Sequence, residues 1–452
     1  MKLLSLRYRR PKKVDSETYR QRRESAEEAE GSVKSGVSGA SSGIPDALSF
    51  DRIINGGTCP PLAIRDFMNY LVYVEHAAEN LQFYLWYKDY EKRFAEAKPS
   101  DVALAPEWTQ AMEDEAVARV RKDQVDKMKR EPATVTAVFK GTDFEKQTGD
   151  KKSNPFNTPP RSANGISDND SLTASWEVMT SGGASNNQPA SNPSSRTQAT
   201  DAFQSAGARL PFTIQPFHQE VNRIITSYIM EGAPRQLNLA AWEQRATVQA
   251  LSYTTHPSAF RILFKSVDSA LRLQSHPNFI RWSICNGNLP RVWFARALGI
   301  SLIIAGFVSA IILALSKAGR GYRALPLIAW VLGMSTFVAA YKGMCVVLHG
   351  LHHRHVRPWE LFTIDDGEDG EEFGMSCMKS FGSNNSYEDE PWVVKYQERN
   401  IIRKIFDREI WIQEPALRQI QDTIFCQALM AGFAFGLVFM GIFLAVPGGH
   451  FF

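Results

Sequence analysis

The chain has 452 residues, and its 51 Lys and Arg against 48 Asp and Glu leave a formal net charge of +3. This near balance provides no bulk attraction to a polyanion, so nucleic acid is not an expected partner. The five cysteines are scattered, form no Cys-x-x-Cys pair and are odd in number, which indicates neither a disulfide framework nor a zinc site.

Residues 1–50 are polar, begin with a basic cluster and contain the run GSVKSGVSGASSG. Such a segment has too few apolar side chains to offset the conformational entropy that folding removes. We therefore predict a disordered tail over 1–50. Its basic start can contact an anionic leaflet, and the alternative is a fully solvated tail.

Two stretches with helical spacing of apolar residues, 55–94 and 210–287, form the next predicted structure. Neither is large enough for a core of its own, but together they make roughly 115 residues, a normal domain size. We predict one all-α domain over 51–288, interrupted by residues 95–209. A long interruption adds little to the free energy of closing the domain, because loop entropy grows only with the logarithm of length.

The interruption itself divides into two parts. Residues 107–130 are helix-prone and strongly charged with a thin apolar stripe, so we expect an exposed helix. Residues 131–209 are rich in Ser, Asn, Thr, Gly and Pro, which predicts a disordered insertion.

Three apolar segments, 292–316, 325–348 and 424–446, are long enough to cross a bilayer as helices. Basic residues are more numerous before the first segment and between the second and third than in the first loop or after the third. The positive-inside rule then predicts a cytosolic helical domain and a C-terminus on the far side of a plasma membrane or other endomembrane.

Small residues also recur every fourth position in two of these segments, at Gly306, Ala310 and Ala314 and at Ala428, Gly432 and Gly436. Such ridges allow close helix packing. We favour packing of the spans on one another over dimerisation.

The loop 349–422 is predicted to be cytosolic and to contain an amphipathic helix between residues 391 and 421, lying on the membrane interface or on the helical domain. Four histidines, His349, His352, His353 and His355, open this loop. No carboxylate or cysteine accompanies them at ligand spacing, so an interfacial basic cluster is favoured over a metal site. No cofactor is predicted.

Three fragments of the helical domain carry a resemblance to a known family. TCPPLAIRDFMNYLVYVEHAAENLQFYLWYKDYEKRF, with its run Glu79-Asn80-Leu81-Gln82-Phe83, resembles the first half of a regulator of G-protein signalling (RGS) domain. IITSYIMEGAPRQLNL resembles the second half, including the pair Asn238-Leu239, and SHPNFIRW resembles the segment with the last contact residues. An RGS-like domain before three spans resembles the fungal transmembrane RGS proteins related to yeast bipolar bud-site-selection membrane proteins.

The resemblance implies a function. RGS domains bind the GTP-bound Gα subunit and speed its GTP hydrolysis by holding the switch loops, without supplying a catalytic arginine. By this resemblance Glu79 and Asn80 lie at the Gα face, Asn238 reaches toward the switch region, and Arg281 supports the contact surface. The protein is then a regulator and not itself a catalyst of covalent chemistry.

Alternatives stay open at these residues. Asn80 can instead bridge helices, Asn238 can cap the next helix, and Arg281 can serve membrane orientation. Pro277 stands where many active RGS domains have an acidic residue, and Ile280 replaces a basic one, so GTPase activation and non-catalytic binding are both open. The alternative function is a non-catalytic cortical landmark, a scaffold for another membrane protein in cell polarity or bud-site selection.

Overall fold

The computed structural model describes residues 8–31, 43–139, 195–209, 211, 214–365, 385 and 391–447. The chain divides into two compact units. The first unit comprises Met1–Pro99, Ser227–Leu239 and Phe260–Phe452, and the second comprises Ser100–Thr226 and Ala240–Ala259. The described residues are mostly helical and include one two-stranded sheet, so the all-α prediction is correct for the bulk of the chain.

The first unit contains most of the helices. Those of its helical domain are α1 (Ser16–Gly31), α2 (Phe50–Ile54), α3 (Ile64–Tyr70) and α4 (Ala78–Ala95). After α5 (Pro99–Val102) come those of the second unit, α6 (Gln110–Phe139), α7 (Ser195–Ser205), α8 (His218–Ile224) and α9 (Ala241–Tyr253). The chain then returns to the first unit through α10 (Arg261–Ala270) and α11 (His276–Ile284).

The remaining elements of the first unit surround the apolar segments. They are α12 (Leu289–Leu315), α13 (Pro326–Tyr341), α14 (Val346–Gly350), β1 (His353–His355), α15 (Pro358–Asp365), α16 (Pro391–Gln397), α17 (Ile401–Ile405), β2 (Glu409–Trp411) and α18 (Pro415–Ala445).

Aromatic side chains form the core of the helical domain. Tyr87 on α4 stacks on Phe264 of α10, with ring centroids 4.4 Å apart, and Phe67 on α3 packs on Phe279 of α11 at 4.9 Å. The two predicted pieces therefore do meet. Each such ring removes a large apolar area from water, which makes these contacts the main stabilising term of the domain.

The boundary of the domain differs from the predicted one, because residues 210–226 and 240–259 belong to the second unit. There α6 packs on α9, and its thin stripe is buried at Ala116 and Val120. The Trp108 N–H donates to Ser258 Oγ at 2.8 Å. The expected exposed helix is thus a packed one, since small side chains allow close approach without a wide apolar face. Of the predicted disordered insertion, 140–194 lies outside the described residues. The prediction is wrong for 195–205, which form α7 with Ala199 and Phe203 buried.

The tail prediction is wrong for residues 8–31 and 43–50. Val14 and Leu48 are buried at 1% and 0% exposure, and the Tyr19 hydroxyl lies 3.1 Å from Ser269 Oγ. A few apolar side chains are enough to order these residues when they dock on an existing surface, because the segment then needs no core of its own. Residues 1–7 and 32–42 lie outside the described part.

Three helices are long and apolar enough to cross a membrane: Leu289–Leu315, Arg320–Tyr341 with its initial 3₁₀ turn, and Pro415–Ala445. They pack on one another, with α13 against both α12 and α18. The backbones of α12 and α13 approach so closely that a Cβ on Gly333 would lie 2.9 Å from the Gly299 carbonyl oxygen. The buried ridge residues Ala310 and Ala428 confirm that the small-residue ridges serve packing within the chain.

The second span is shorter than predicted and ends at Tyr341 instead of residue 348. Gly343 adopts φ +83°, a left-handed conformation that stops the helix. A side chain there would also meet Cys285, whose Sγ would lie 2.6 Å from the added Cβ.

The loop after the second span contains two strands and short helices instead of one long amphipathic helix. Asn400 interrupts the helical pattern by accepting a hydrogen bond from Ile402 N, which separates α16 from α17. Strand β1 pairs antiparallel with β2, with His353 opposite Trp411 and His355 opposite Glu409.

Candidate functional site

The start of α4 is fixed by a sharp turn that places two of the predicted site residues. Helix α3 continues as a π-helical turn to Glu75, and His76 then adopts φ 56°. The Ala77 N–H donates to the Leu71 carbonyl, and α4 begins at Ala78. Glu79 and Asn80 therefore lie in the first turn of α4, and both are half-buried.

The second predicted segment docks on the same helix. The Arg235 and Leu237 N–H groups donate to the carbonyls of Ser227 and Tyr228, at 3.1 and 2.9 Å, which folds residues 227–237 into a compact loop. The Tyr228 ring packs on Phe83 of α4 with centroids 6.1 Å apart. Two motifs that lie about 150 residues apart in sequence thus meet through an aromatic contact.

A cavity of about 260 Å³ lies where the two segments meet. Its walls come from the turn before α4, from the loop 227–237 and from one residue of the loop 349–422, which joins the second and third apolar segments. They comprise Leu71, Val72, His76, Ala78, Glu79, Pro234, Arg235, Gln236 and Asn385. The polar wall residues combine an acid, an imidazole, a guanidinium and two amides, which suits hydrogen bonding to a peptide-like partner better than enclosure of an apolar ligand.

The carboxyl group of Glu79 has an altered protonation equilibrium. Burial raises its pKa, and a hydrogen bond from Asn385 and the nearby His76 partly oppose that rise. Neighbouring Glu75 also has a raised pKa through burial, although Ser275 Oγ donates to its carboxylate at 2.8 Å. Both acids are therefore partly buried instead of fully solvated.

Asn80 and Asn238 keep their side-chain amides available. Neither amide hydrogen-bonds to another residue of the described chain, and Asn238 is exposed. The N-cap residue of α9 is Ala240, whose N–H donates to the Glu243 carboxylate at 3.0 Å. Asn238 follows the cavity residue Gln236 by two positions in the chain.

Arg281 lies in a different environment, held by the N-terminal segment. Its Nη1 donates to the Pro11 carbonyl at 2.8 Å, and its own carbonyl accepts from Arg10 Nη2 at 2.7 Å. The neighbouring Pro277 and Ile280 are buried. Burial and the Arg10 charge lower the pKa of Arg281. The structure thus places Glu79 in the wall of the cavity, with Asn80 next to it in α4, and assigns Arg281 to a contact with residues 10–11.

Sequence reasoning missed this contact of the N-terminal segment with α11. The only signals in the sequence are the single apolar Val14 and the basic side chain of Arg10, which are too few for periodicity to detect. Arg10 also donates to the Lys342 carbonyl at 2.5 Å, at the end of the second span.

Two histidines of the loop lie near carboxylates from distant parts of the chain, which spacing in the sequence does not reveal. His349 Nε2 lies 3.5 Å from Asp422 Oδ1, and His353 Nδ1 lies 3.7 Å from Glu409 Oε2. Across the described residues, no group of three or more His, Cys, Asp or Glu side chains is arranged to hold a metal ion.

Comparisons with known proteins give no further assignment. No protein family, curated protein or solved structure matches this chain.

Proposed function

We propose that this protein is a membrane-tethered regulator of G-protein signalling that binds a Gα subunit through the start of α4 and the loop 227–239. The observation that carries the proposal is the shared cavity, which joins Glu79 to residues 234–236 across an interruption of the domain. This arrangement is what the RGS resemblance requires, because its motifs must form one surface to contact the switch loops together.

The side chains at this surface suit such a contact. An amide offers two N–H donors and a carbonyl acceptor, so Asn80 and Asn238 each provide both kinds of hydrogen bond to a partner backbone. Binding near three apolar helices adds a second advantage. Holding the domain at a bilayer raises its effective concentration against a lipid-anchored Gα without any new contact.

The experiment uses the full chain in nanodiscs. Binding is measured to Gα loaded with GDP, with a GTP analogue and with the transition-state mimic GDP–aluminium fluoride. We expect selective binding to an activated form, and weakening by roughly tenfold for Asn80→Ala and for Asn238→Ala, since each loses a hydrogen bond of about 1–1.5 kcal/mol.

Asn55→Ala is the matched control, because Asn55 is an exposed asparagine at the end of α2. Single-turnover GTP hydrolysis on the same samples separates an activator from a non-catalytic binder. Binding of no Gα form, or equal effects of the three asparagine substitutions, would contradict the proposal.

A second candidate is the non-catalytic landmark, a scaffold for another membrane protein. The hydrogen bond between Arg281 and Pro11 favours the landmark, because the RGS resemblance assigns Arg281 to the support of the Gα contact and this bond already engages its side chain. Partners recovered from membranes independently of the nucleotide would favour the landmark over the regulator.

A further inference from the structure

Residues 394–411, which we call the interfacial segment, expose an unusual amount of apolar surface. Five large apolar side chains of this segment are more than half exposed: Val394 at 55%, Ile401 at 65%, Ile402 at 62%, Phe406 at 65% and Trp411 at 51%. Clustered exposure of this kind indicates a surface that another phase or partner covers.

The contacts of the segment with the first apolar helix identify what covers it. The Phe406 ring lies edge-on to Phe294 in the second turn of α12, with centroids 5.9 Å apart. Asn288, which caps α12 by accepting from Arg291 N, also donates its amide to the Lys404 carbonyl. The exposed side chains of the segment thus continue the apolar surface of a helix long enough to span a bilayer.

Exposed aromatic residues mark the same end of α12. Trp293 is 60% exposed, and the Arg296 guanidinium lies 5.3 Å from its ring centroid. Aromatic and basic side chains are enriched at the boundary between acyl chains and headgroups. This continuity favours a bilayer over a soluble protein as the occupant.

The charges of the segment leave a basic surface. Asp407 is paired with Arg399 at 2.8 Å, and Glu409 is paired with Arg291 at 2.6 Å. Glu398 is the remaining acid of 394–411. Arg403 is exposed, and Lys404 extends beside it with its ammonium group 3.0 Å from the Gln397 carbonyl oxygen.

We propose that the interfacial segment is an in-plane membrane anchor that binds the headgroup region of an anionic leaflet. Ile401, Ile402 and Phe406 enter the boundary between acyl chains and headgroups, while Arg403 and Lys404 meet lipid phosphates and carboxylates. The Asn288 contact then fixes the depth of the first span relative to this leaflet. The proposal is independent of Gα binding.

The charge part is tested with the full chain in vesicles of phosphatidylcholine that contain either dansyl-phosphatidylserine or dansyl-phosphatidylcholine as a minor component. The ratio of tryptophan-to-dansyl energy transfer between the two probes reports enrichment of the anionic lipid. We expect Arg403→Gln/Lys404→Gln to lower this ratio at least twofold, because one basic side chain near an anionic surface strengthens attraction roughly fivefold.

Lys92→Gln/Lys98→Gln is the matched control, since it removes two exposed positive charges near the end of α4. It should leave the ratio unchanged. An equal ratio for the wild type and Arg403→Gln/Lys404→Gln, or an equal loss in the control, would overturn the proposal.

The apolar part is tested by depth. A fluorescent label is placed at Ile402→Cys in a chain whose cysteines other than the buried Cys345 are changed to Ser. Lipids carrying a nitroxide near the headgroup are the quencher. We expect strong quenching at position 402 and little at a label on Lys92→Cys. A label at 402 that only a water-soluble quencher reaches would overturn the proposal and would favour a protein partner instead.

Discussion

Val14 and Asn278 exchange two hydrogen bonds although 264 positions separate them in the chain: Val14 N donates to Asn278 Oδ1 at 2.8 Å, and Asn278 Nδ2 donates to the Val14 carbonyl at 3.0 Å. Both residues are buried. One side chain thus satisfies both backbone groups of Val14, much as a neighbouring β-strand would. This contact, with those of Arg10, fastens the N-terminal segment to α11.

Asn278→Ala should release that segment. The substitution leaves the buried N–H and carbonyl of Val14 without partners, which costs about 2–4 kcal/mol of folding free energy. Hydrogen–deuterium exchange of the full chain in detergent should show faster exchange over residues 8–31. Asn55→Ala, at an exposed position, should not change it, and unchanged exchange in Asn278→Ala would contradict the role of this contact.

Arg323 should stabilise the bundle of three apolar helices at the end where α12 and α18 terminate. It is 2% exposed, and its guanidinium donates to the Val446 carbonyl at 2.5 Å and lies 3.5 Å from the Ala314 carbonyl. These carbonyls lie at the C-terminal ends of α18 and α12, where a positive charge also interacts favourably with the helix dipoles.

Arg323→Ala should therefore lower the free energy of unfolding by about 2–3 kcal/mol. Thermal unfolding in detergent measures the effect, and Arg320→Ala is the control because Arg320 is exposed in the same turn. Equal melting temperatures for the two variants would show that the buried position of Arg323 is not stabilising.

The sequence predicts the apolar helices well because composition alone carries the signal. A run such as ALGISLIIAGFVSAIILAL within Leu289–Leu315 needs no partner to be recognised. The aromatic core of α4 was equally readable from spacing. The end of the second span was not, since it depends on the conformation of Gly343 and its contact with Cys285.

The sequence indicates only the local parts of the candidate site. The motifs around Asn80 and Asn238 are local in sequence, so a resemblance can indicate them as a candidate surface, whereas the contact between Arg281 and Pro11 spans 270 positions. Strand β1 has three residues, which is too short for an alternating pattern to appear. Long-range pairs of this kind follow from the fold and leave no local pattern.

Gly333→Ala should push α12 and α13 apart. The new Cβ would lie 2.9 Å from the Gly299 carbonyl oxygen and 2.9 Å from Ile303 N, both of which belong to the backbone and cannot rotate away. We expect the free energy of unfolding to fall by about 1–3 kcal/mol. Gly441→Ala in α18 is the control, since a Cβ there meets nothing within 4 Å, and thermal unfolding should rank it at or above the wild type. The opposite order would refute the close approach.

His276 should make the helical domain sensitive to acid. It is 6% exposed, and its Nε2–H donates to the Leu48 carbonyl at 2.8 Å. Burial is the main cause that lowers its pKa from 6.5 to about 4. Because the folded pKa lies below the unfolded one, the unfolded chain binds the proton more readily. The stabilising effect is complete above pH 6.5 and is lost as the pH falls toward 4.

Over that pH range the free energy of unfolding of the wild type should fall by roughly 3 kcal/mol through this histidine alone. His276→Gln keeps an N–H donor for Leu48 but cannot titrate, so its free energy of unfolding should fall less steeply between pH 6.5 and 4. Denaturant unfolding of the full chain in detergent, followed by tryptophan fluorescence, gives both slopes. Asn55→Ala, at an exposed position that carries no titratable group, should keep the wild-type slope. Parallel pH profiles for the wild type and His276→Gln would show that the buried imidazole does not control the acid response.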